Sequence, residues 1–159
     1  MAMSGIAVSQ ECEKAHERQH KKEKDIQWTV YRIDQAGKKA VVVVDSQKER
    51  VFCANTASQQ HCDEVKKTNK QIWLDFIDCL PDLEGRYAVF DFVQPTSSGA
   101  YKDAIRFVAW SPEQGPIKNK MIYSSTKDTL KKKLDVQKEV FLSTKSTEDI
   151  EDAFAQLMV

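Results

Sequence analysis

Trp110-Ser111-Pro112-Glu113-Gln114-Gly115-Pro116-Ile117-Lys118-Asn119-Lys120-Met121-Ile122-Tyr123-Ser124-Ser125-Thr126-Lys127-Asp128 is the stretch around which the rest of the chain can be ordered. Residues 104–110, just before and into it, are aromatic and β-branched and read as a strand, which Ser111-Pro112 ends. Pro116 fits the first turn of a helix, and 117–134 contains no further Gly or Pro, so this region predicts the longest helix of the chain. At roughly 100° per residue, Tyr123, Leu130 and Leu134 share one side, which becomes the core-facing one. The opposite side carries Lys118, Met121, Ile122, Ser125, Asp128, Thr129 and Lys132. Two large apolar residues on a polar face point to a partner. The competing reading packs Met121 and Ile122 beneath a loop or the N-terminal segment, and periodicity leaves the two evenly matched.

Moving outward, residues 87–93 have strand composition, and Thr96-Ser97-Ser98-Gly99 supplies a reversal between them and 104–110. Ile72, Trp73, Phe76, Ile77 and Leu80 recur at three- and four-residue spacing. They predict an amphipathic helix over 70–79, stopped by Pro81, with its aromatics in the core. Ile26, Trp28 and Val30 alternate with Gln27 and Thr29. Turn chemistry at Gln35-Ala36-Gly37 then leads to Val41-Val42-Val43-Val44, which makes a hairpin with a buried second strand. Ser9-Gln10-Glu11 opens a helix expected to end near Lys24, and Thr147-Glu148-Asp149 opens a terminal helix carrying Ile150, Phe154, Leu157 and Met158. The stretch 46–69 reads as an elaborated loop with at most a short strand at Val51-Phe52. Strand pairs and helices in this order imply one mixed sheet covered by helices on both faces, an α+β protein built as an α/β/α sandwich.

Composition narrows the function classes. At 159 residues the chain fits a single domain, 1–159. Lys+Arg and Asp+Glu are both 24, so no whole-molecule field draws the protein to nucleic acid or membrane, and any basic site must be local. The N-terminus lacks the pattern of a signal peptide, and no apolar run approaches the roughly 18 residues of a membrane span, which predicts a soluble, intracellular protein. Cys12, Cys53, Cys62 and Cys79 show no CxxC pairing and are expected as reduced, partly buried thiols. His61-Cys62 is the one adjacent His/Cys pair, and a metal site there would need further ligands from Cys53 or Cys79, so no metal is expected. With no Gly-rich phosphate loop and no convincing Cys/His nucleophile, neither an enzyme nor a cofactor is expected. The basic cluster Lys127, Lys131, Lys132 and Lys133 suits an acidic protein surface or phosphoinositide headgroups, although such runs are more often simply solvated.

The segment 110–128 strongly resembles the signature around the long actin-binding helix of the actin-depolymerising-factor (ADF)/cofilin family. Met3-Ser4-Gly5-Ile6-Ala7-Val8 resembles that family's N-terminal tail, and Arg86-Tyr87-Ala88-Val89-Phe90-Asp91-Phe92 its central strand. The resemblance implies the ADF-homology (gelsolin-like) fold, a mixed sheet of about five strands between helices, with a flexible tail over 1–8. It implies a monomer that binds actin monomers and filaments, preferring ADP-bound actin, and promotes severing and depolymerisation by differential affinity rather than catalysis. Ser4, Gly5, Ile6 and Val8 would grip actin together with Lys118, Lys120, Met121, Ile122, Ser125 and Asp128. Ser4 would be the regulatory phosphorylation site, adding about two negative charges to a segment that docks on an acidic partner. Filament contact would use a second surface. Lys102 is retained there, but Ala104 stands where some relatives carry a basic residue, and the last helix lacks a basic tail. Monomer sequestration with weak severing, or a phosphoinositide-responsive module, are the alternatives. The implied location is the cytoplasm and cytoskeleton, and 16–24 makes at best a weak nuclear-import signal.

Overall fold

The two strands expected at the centre pair in register from Arg86↔Trp110 to Pro95↔Tyr101 in a computed structural model that describes residues 6–20, 26–35, 40–49 and 62–157. The strands are β1 (Ala7–Val8), β2 (Ile26–Asp34), β3 (Val41–Glu49), β4 (Arg86–Pro95), β5 (Tyr101–Trp110) and β6 (Glu139–Leu142). They form one six-stranded sheet in the order β1-β3-β2-β4-β5-β6. The four inner strands are mutually antiparallel, while β1 lies parallel to β3 and β6 parallel to β5, so the sheet is mixed. The reversal between β4 and β5 closes through the Thr96 amide donating to the Ala100 carbonyl at 2.7 Å. Gly99 there takes φ of 85°, a conformation open to glycine because it lacks a Cβ.

Helices α1 (Gln10–His20), α2 (Cys62–Cys79), α3 (Ile117–Leu134) and α4 (Thr147–Leu157) cover both faces. Strand alternation sorts the core into two clusters. Ala88, Phe90 and Phe92 of β4 join Val108 and Trp110 of β5 beneath the apolar faces of α2 and α4. Tyr87 and Val89 point the other way, with Phe107 and Ala109, toward Cys12 of α1 and Tyr123, Leu130 and Leu134 of α3. The spacing that predicted the second helix buries Ile72, Trp73, Phe76 and Ile77, and Phe76 meets Phe90 edge-on at 4.7 Å. The α4 helix is tied down by the Trp73 indole N–H donating to the Ile150 carbonyl at 3.1 Å, and its last turn by the Arg106 Nε donating to the Leu157 carbonyl at 2.9 Å.

Several boundaries differ from expectation. Among the described residues the sheet has six strands where the resemblance implied about five, and the edge strands β1 and β6, of two and four residues, are too brief for alternation to reveal. Residues 6–8 do not belong to a flexible tail: Ile6 is buried, β1 pairs with β3, and the Ser9 amide donates to the Val42 carbonyl at 3.0 Å. Residues 46–49 and 62–69, expected within an elaborated loop, instead belong to regular elements, since β3 runs to Glu49 and α2 starts at Cys62. Polar residues 46–49 form a strand because cross-strand pairing with β2, such as Ser46↔Val30 and Lys48↔Trp28, supplies what side-chain pattern does not. Residues 50–61, with the short strand expected at Val51-Phe52, lie outside the described residues, as do Ala36 and Gly37 of the expected turn and the expected helix end near Lys24. The cap of α4 is Ser146, whose hydroxyl accepts from the Asp149 amide at 3.2 Å.

Candidate functional site

The outer face of α3 is a surface held in a fixed pose by its inner face. Pro116 precedes the helix with φ −58° and ψ 143° rather than sitting in the first turn, and no side chain caps the start. Tyr123 does most of the anchoring. Its ring lies so close to Gly85 that a Cβ there would come within 2.5 Å of Cγ, which only glycine avoids. Its hydroxyl accepts from the Ile33 amide at 2.9 Å, and its backbone carbonyl accepts from the Tyr87 hydroxyl. Asn119, one turn earlier, accepts from the Gly85 amide at 2.8 Å through Oδ1. Burial pushes the phenols of Tyr87 and Tyr123 above their usual range, so both remain neutral donors and acceptors at physiological pH. At the far end Asp135 takes the left-handed conformation, φ 55°. Its amide donates to the Lys132 carbonyl and the Val136 amide to the Lys131 carbonyl, a Schellman closure.

The outward residues split. Lys118, Ser125 and Asp128 are exposed, and Met121 is 65% exposed. Ile122, one step around the helix, is half-buried and packs against the cluster that holds Ile6 and Val8. Of the pair, Ile122 is packed inward, as one reading expected, while Met121 stays in solvent. Lys120 is half-buried, with Nζ donating to the Glu113 carbonyl at 2.7 Å. The Ser125 hydroxyl is turned back onto the Ile122 carbonyl at 3.1 Å. On the N-terminal segment, Val8 is half-buried and Ile6 is a core residue, whereas Ser4 and Gly5 lie outside the described residues.

The basic cluster does not form one patch. Lys127 and Lys131 both clamp Glu139 of β6, at 2.8 and 2.7 Å. Lys133 approaches Glu13 at 3.8 Å, and Lys132 is exposed. A hollow at this end of α3 is lined by Asp128 and Asp135 as well as Lys131 and Lys132, which offsets its positive potential. For Glu139, desolvation pulls the carboxyl up, but the hydrogen bonds and charges of Lys127 and Lys131 outweigh it and hold the group below its usual range.

At the start of β5, Lys102 is exposed opposite Gln94, while Ala104 points inward and is buried. Arg106, which the sequence reading did not single out, is buried two positions on, its guanidinium bonded to Gln94 and to the carbonyls of Ile105 and Leu157. Burial lowers its pKa from the usual arginine value. Strand alternation alone could have placed it inward, but not shown what it holds. His61 lies outside the described residues, Cys62 opens α2, Cys12 is buried and Cys79 exposed.

Comparison with known proteins supplies a family. Residues 5–156 match the family described as Cofilin/tropomyosin-type actin-binding protein. The actin-depolymerizing factor of Lilium longiflorum is 33% identical over 132 residues, spanning 83% of this chain and 79% of that protein. The cofilin of Schizosaccharomyces pombe is also 33% identical over 132 residues, with the same coverage of 83% and 79%. The crystal structure of Plasmodium berghei actin depolymerization factor 2 superposes with a TM-score of 0.72 at 25% identity, covering 98% of this chain and 94% of that one. Human coactosin-like protein shares the fold, with a TM-score of 0.66 at 13% identity. With the family match running through β1, the central strands, α3 and α4, the chain belongs to the ADF/cofilin family of actin-binding proteins.

Proposed function

We propose that this protein binds actin monomers and filaments through the outer face of α3 and, by binding rather than catalysis, promotes filament severing and depolymerisation. The observation that carries the proposal is a helix fixed by Tyr123, Asn119 and Gly85 that leaves Lys118, Met121, Ser125 and Asp128 facing solvent. A pre-set pose lowers the ordering cost of binding, so those contacts are free to favour one orientation of a filament subunit over another. The N-terminal segment completes the surface. β1 anchors the chain at Ile6, which keeps Ser4 within two residues of a fixed point, and phosphorylation of Ser4 would place about two negative charges beside an interface built for an acidic partner. Phosphoinositides would compete through Lys132 and Lys133, with Lys127 and Lys131 contributing only on release of Glu139. The protein acts as a monomer at the actin cytoskeleton of the cytoplasm.

A second reading, monomer sequestration with weak severing, is favoured by the filament side. There Lys102 stands beside a buried Ala104, and the described end of α4 carries no basic residue. High-speed cosedimentation with actin filaments separates the two. Binding with released actin, lost in Lys118→Ala/Lys120→Ala, is the expected result. Raised soluble actin without pelleting would select sequestration, and no effect on either fraction would sink actin binding altogether.

A further inference from the structure

Large apolar side chains exposed to water are few, and here all but Leu74 gather around one helix. Among the described residues Leu74, Leu83, Ile117, Met121 and Phe141 are the ones left exposed. Ile117, 74% exposed, and Met121 are on α3 itself. Leu83 and Phe141, 55% and 56% exposed, come from other elements, yet both border that helix.

For Leu83 the placement follows from its neighbours. Its carbonyl oxygen would lie 3.0 Å from a Cβ on Gly115, at the approach to α3, and Gly85 two residues later bonds Asn119 and carries the Tyr123 ring. The loop before β4 therefore runs against the first turns of α3. For Phe141 the alternation of β6 decides. Val140 and Leu142 enter the α2/α4 core, so Glu139 and Phe141 lie on the opposite face, and Glu139 is clamped by Lys127 and Lys131 of α3. Beyond Phe141, the Glu113 amide donates to the Ser143 carbonyl at 2.9 Å, and the Glu113 carbonyl takes the Lys120 ammonium. Phe141 is thus bracketed between two ties to α3.

The charges beside these residues are already engaged within the chain. Asp82 pairs with Lys145 at 3.0 Å and Glu84 with Arg86 at 3.7 Å, on either side of Leu83, and Glu139 is paired beside Phe141. Exposed Lys118 pairs with none of the described acids, so the apolar surface has a cation at its edge. An apolar patch of this kind marks an interaction site, and an exposed Phe on an edge strand is a liability unless something covers it.

We infer that Leu83 and Phe141 are further actin-contact residues, widening the α3 surface into an apolar platform that seats against an apolar cleft with an acidic rim on an actin subunit. The inference rests on the proposed use of α3. It is continuous with that surface, and the cation at its edge gives the charge match.

The test is the affinity for fluorescently labelled actin monomers of Leu83→Ser and Phe141→Ser, with Leu74→Ser on α2 as a control and Lys118→Ala/Met121→Ala testing α3 itself. Leu83→Ser and Phe141→Ser should each weaken binding about fivefold or more, as loss of an apolar anchor does. Both should melt with the wild type because the side chains are exposed, and Leu83→Met and Phe141→Leu should restore affinity. Wild-type affinity in both serine variants, alongside loss in Lys118→Ala/Met121→Ala, would overturn this inference and leave the α3 reading standing. Full binding by Lys118→Ala/Met121→Ala would remove the α3 reading and this inference with it. A wild-type dimer that Phe141→Ser splits without changing actin affinity would assign the platform to a second copy of the chain instead.

Discussion

Gly85 shows how one residue sets the pose of a whole surface. With no Cβ it lets the Tyr123 ring lie on the backbone and offers its amide to Asn119. Two effects compete in Gly85→Ala. Restricting the unfolded chain would stabilise by about 0.4–1 kcal/mol. Overpacking against a ring held at both its hydroxyl and its backbone carbonyl costs about 1–3 kcal/mol, and the ring has no flexible end to move aside. The clash should win, lowering the urea midpoint and weakening actin binding together although residue 85 itself is buried. A variant as stable as the wild type would mean that α3 shifts without cost, and the rigid-pose argument would fail.

Between elements, the informative link is the one from α3 to β6. Two lysines of the last turns of α3 converge on Glu139, favourable both as ion pairs and as cations near the C-terminal end of a helix dipole. Because the folded carboxyl titrates below the ordinary glutamate value of 4.5, the unfolded state binds the proton more readily. The stabilisation is therefore fully present above about pH 4.5 and is lost as pH falls through the folded pKa. Glu139→Gln should be less stable than wild type at pH 7, and the gap between their urea midpoints should close toward pH 3. A constant gap would show that the carboxylate's charge contributes nothing. The Glu139→Gln change would also free Lys127 and Lys131, which makes it the variant in which anion binding at this end of α3 should rise.

At the scale of the whole molecule, the sheet carries a core on each face, and all three tryptophans, Trp28, Trp73 and Trp110, fall in the one beneath α2 and α4. Tryptophan fluorescence therefore reports one face, whereas far-UV circular dichroism reports every element. β4 is buried on both sides and belongs to both clusters, so the two cores should unfold as one cooperative unit with coincident urea transitions. Separate midpoints would divide the domain into two. The same two-sided burial explains what could be read in advance. The aromatic strands 87–93 and 104–110, the three- and four-residue spacing of the second helix, and the Gly- and Pro-free run after Pro116 are local patterns, and each imposed its element. The side of α3 that faces the core followed from its 3.6-residue period. Edge strands of two and four residues, the burial of Ile6, the turning inward of Ile122, the pairing that removes Lys127 and Lys131 from a basic patch, and the gathering of Leu83 and Phe141 beside Ile117 and Met121 did not follow. The sequence by itself determined the central strands, the helices and the outer face of α3, because periodicity along one element is carried by neighbouring residues. Only the tertiary structure decided which side chains on that face remain free, because that depends on partners distant in the chain that the sheet order brings alongside.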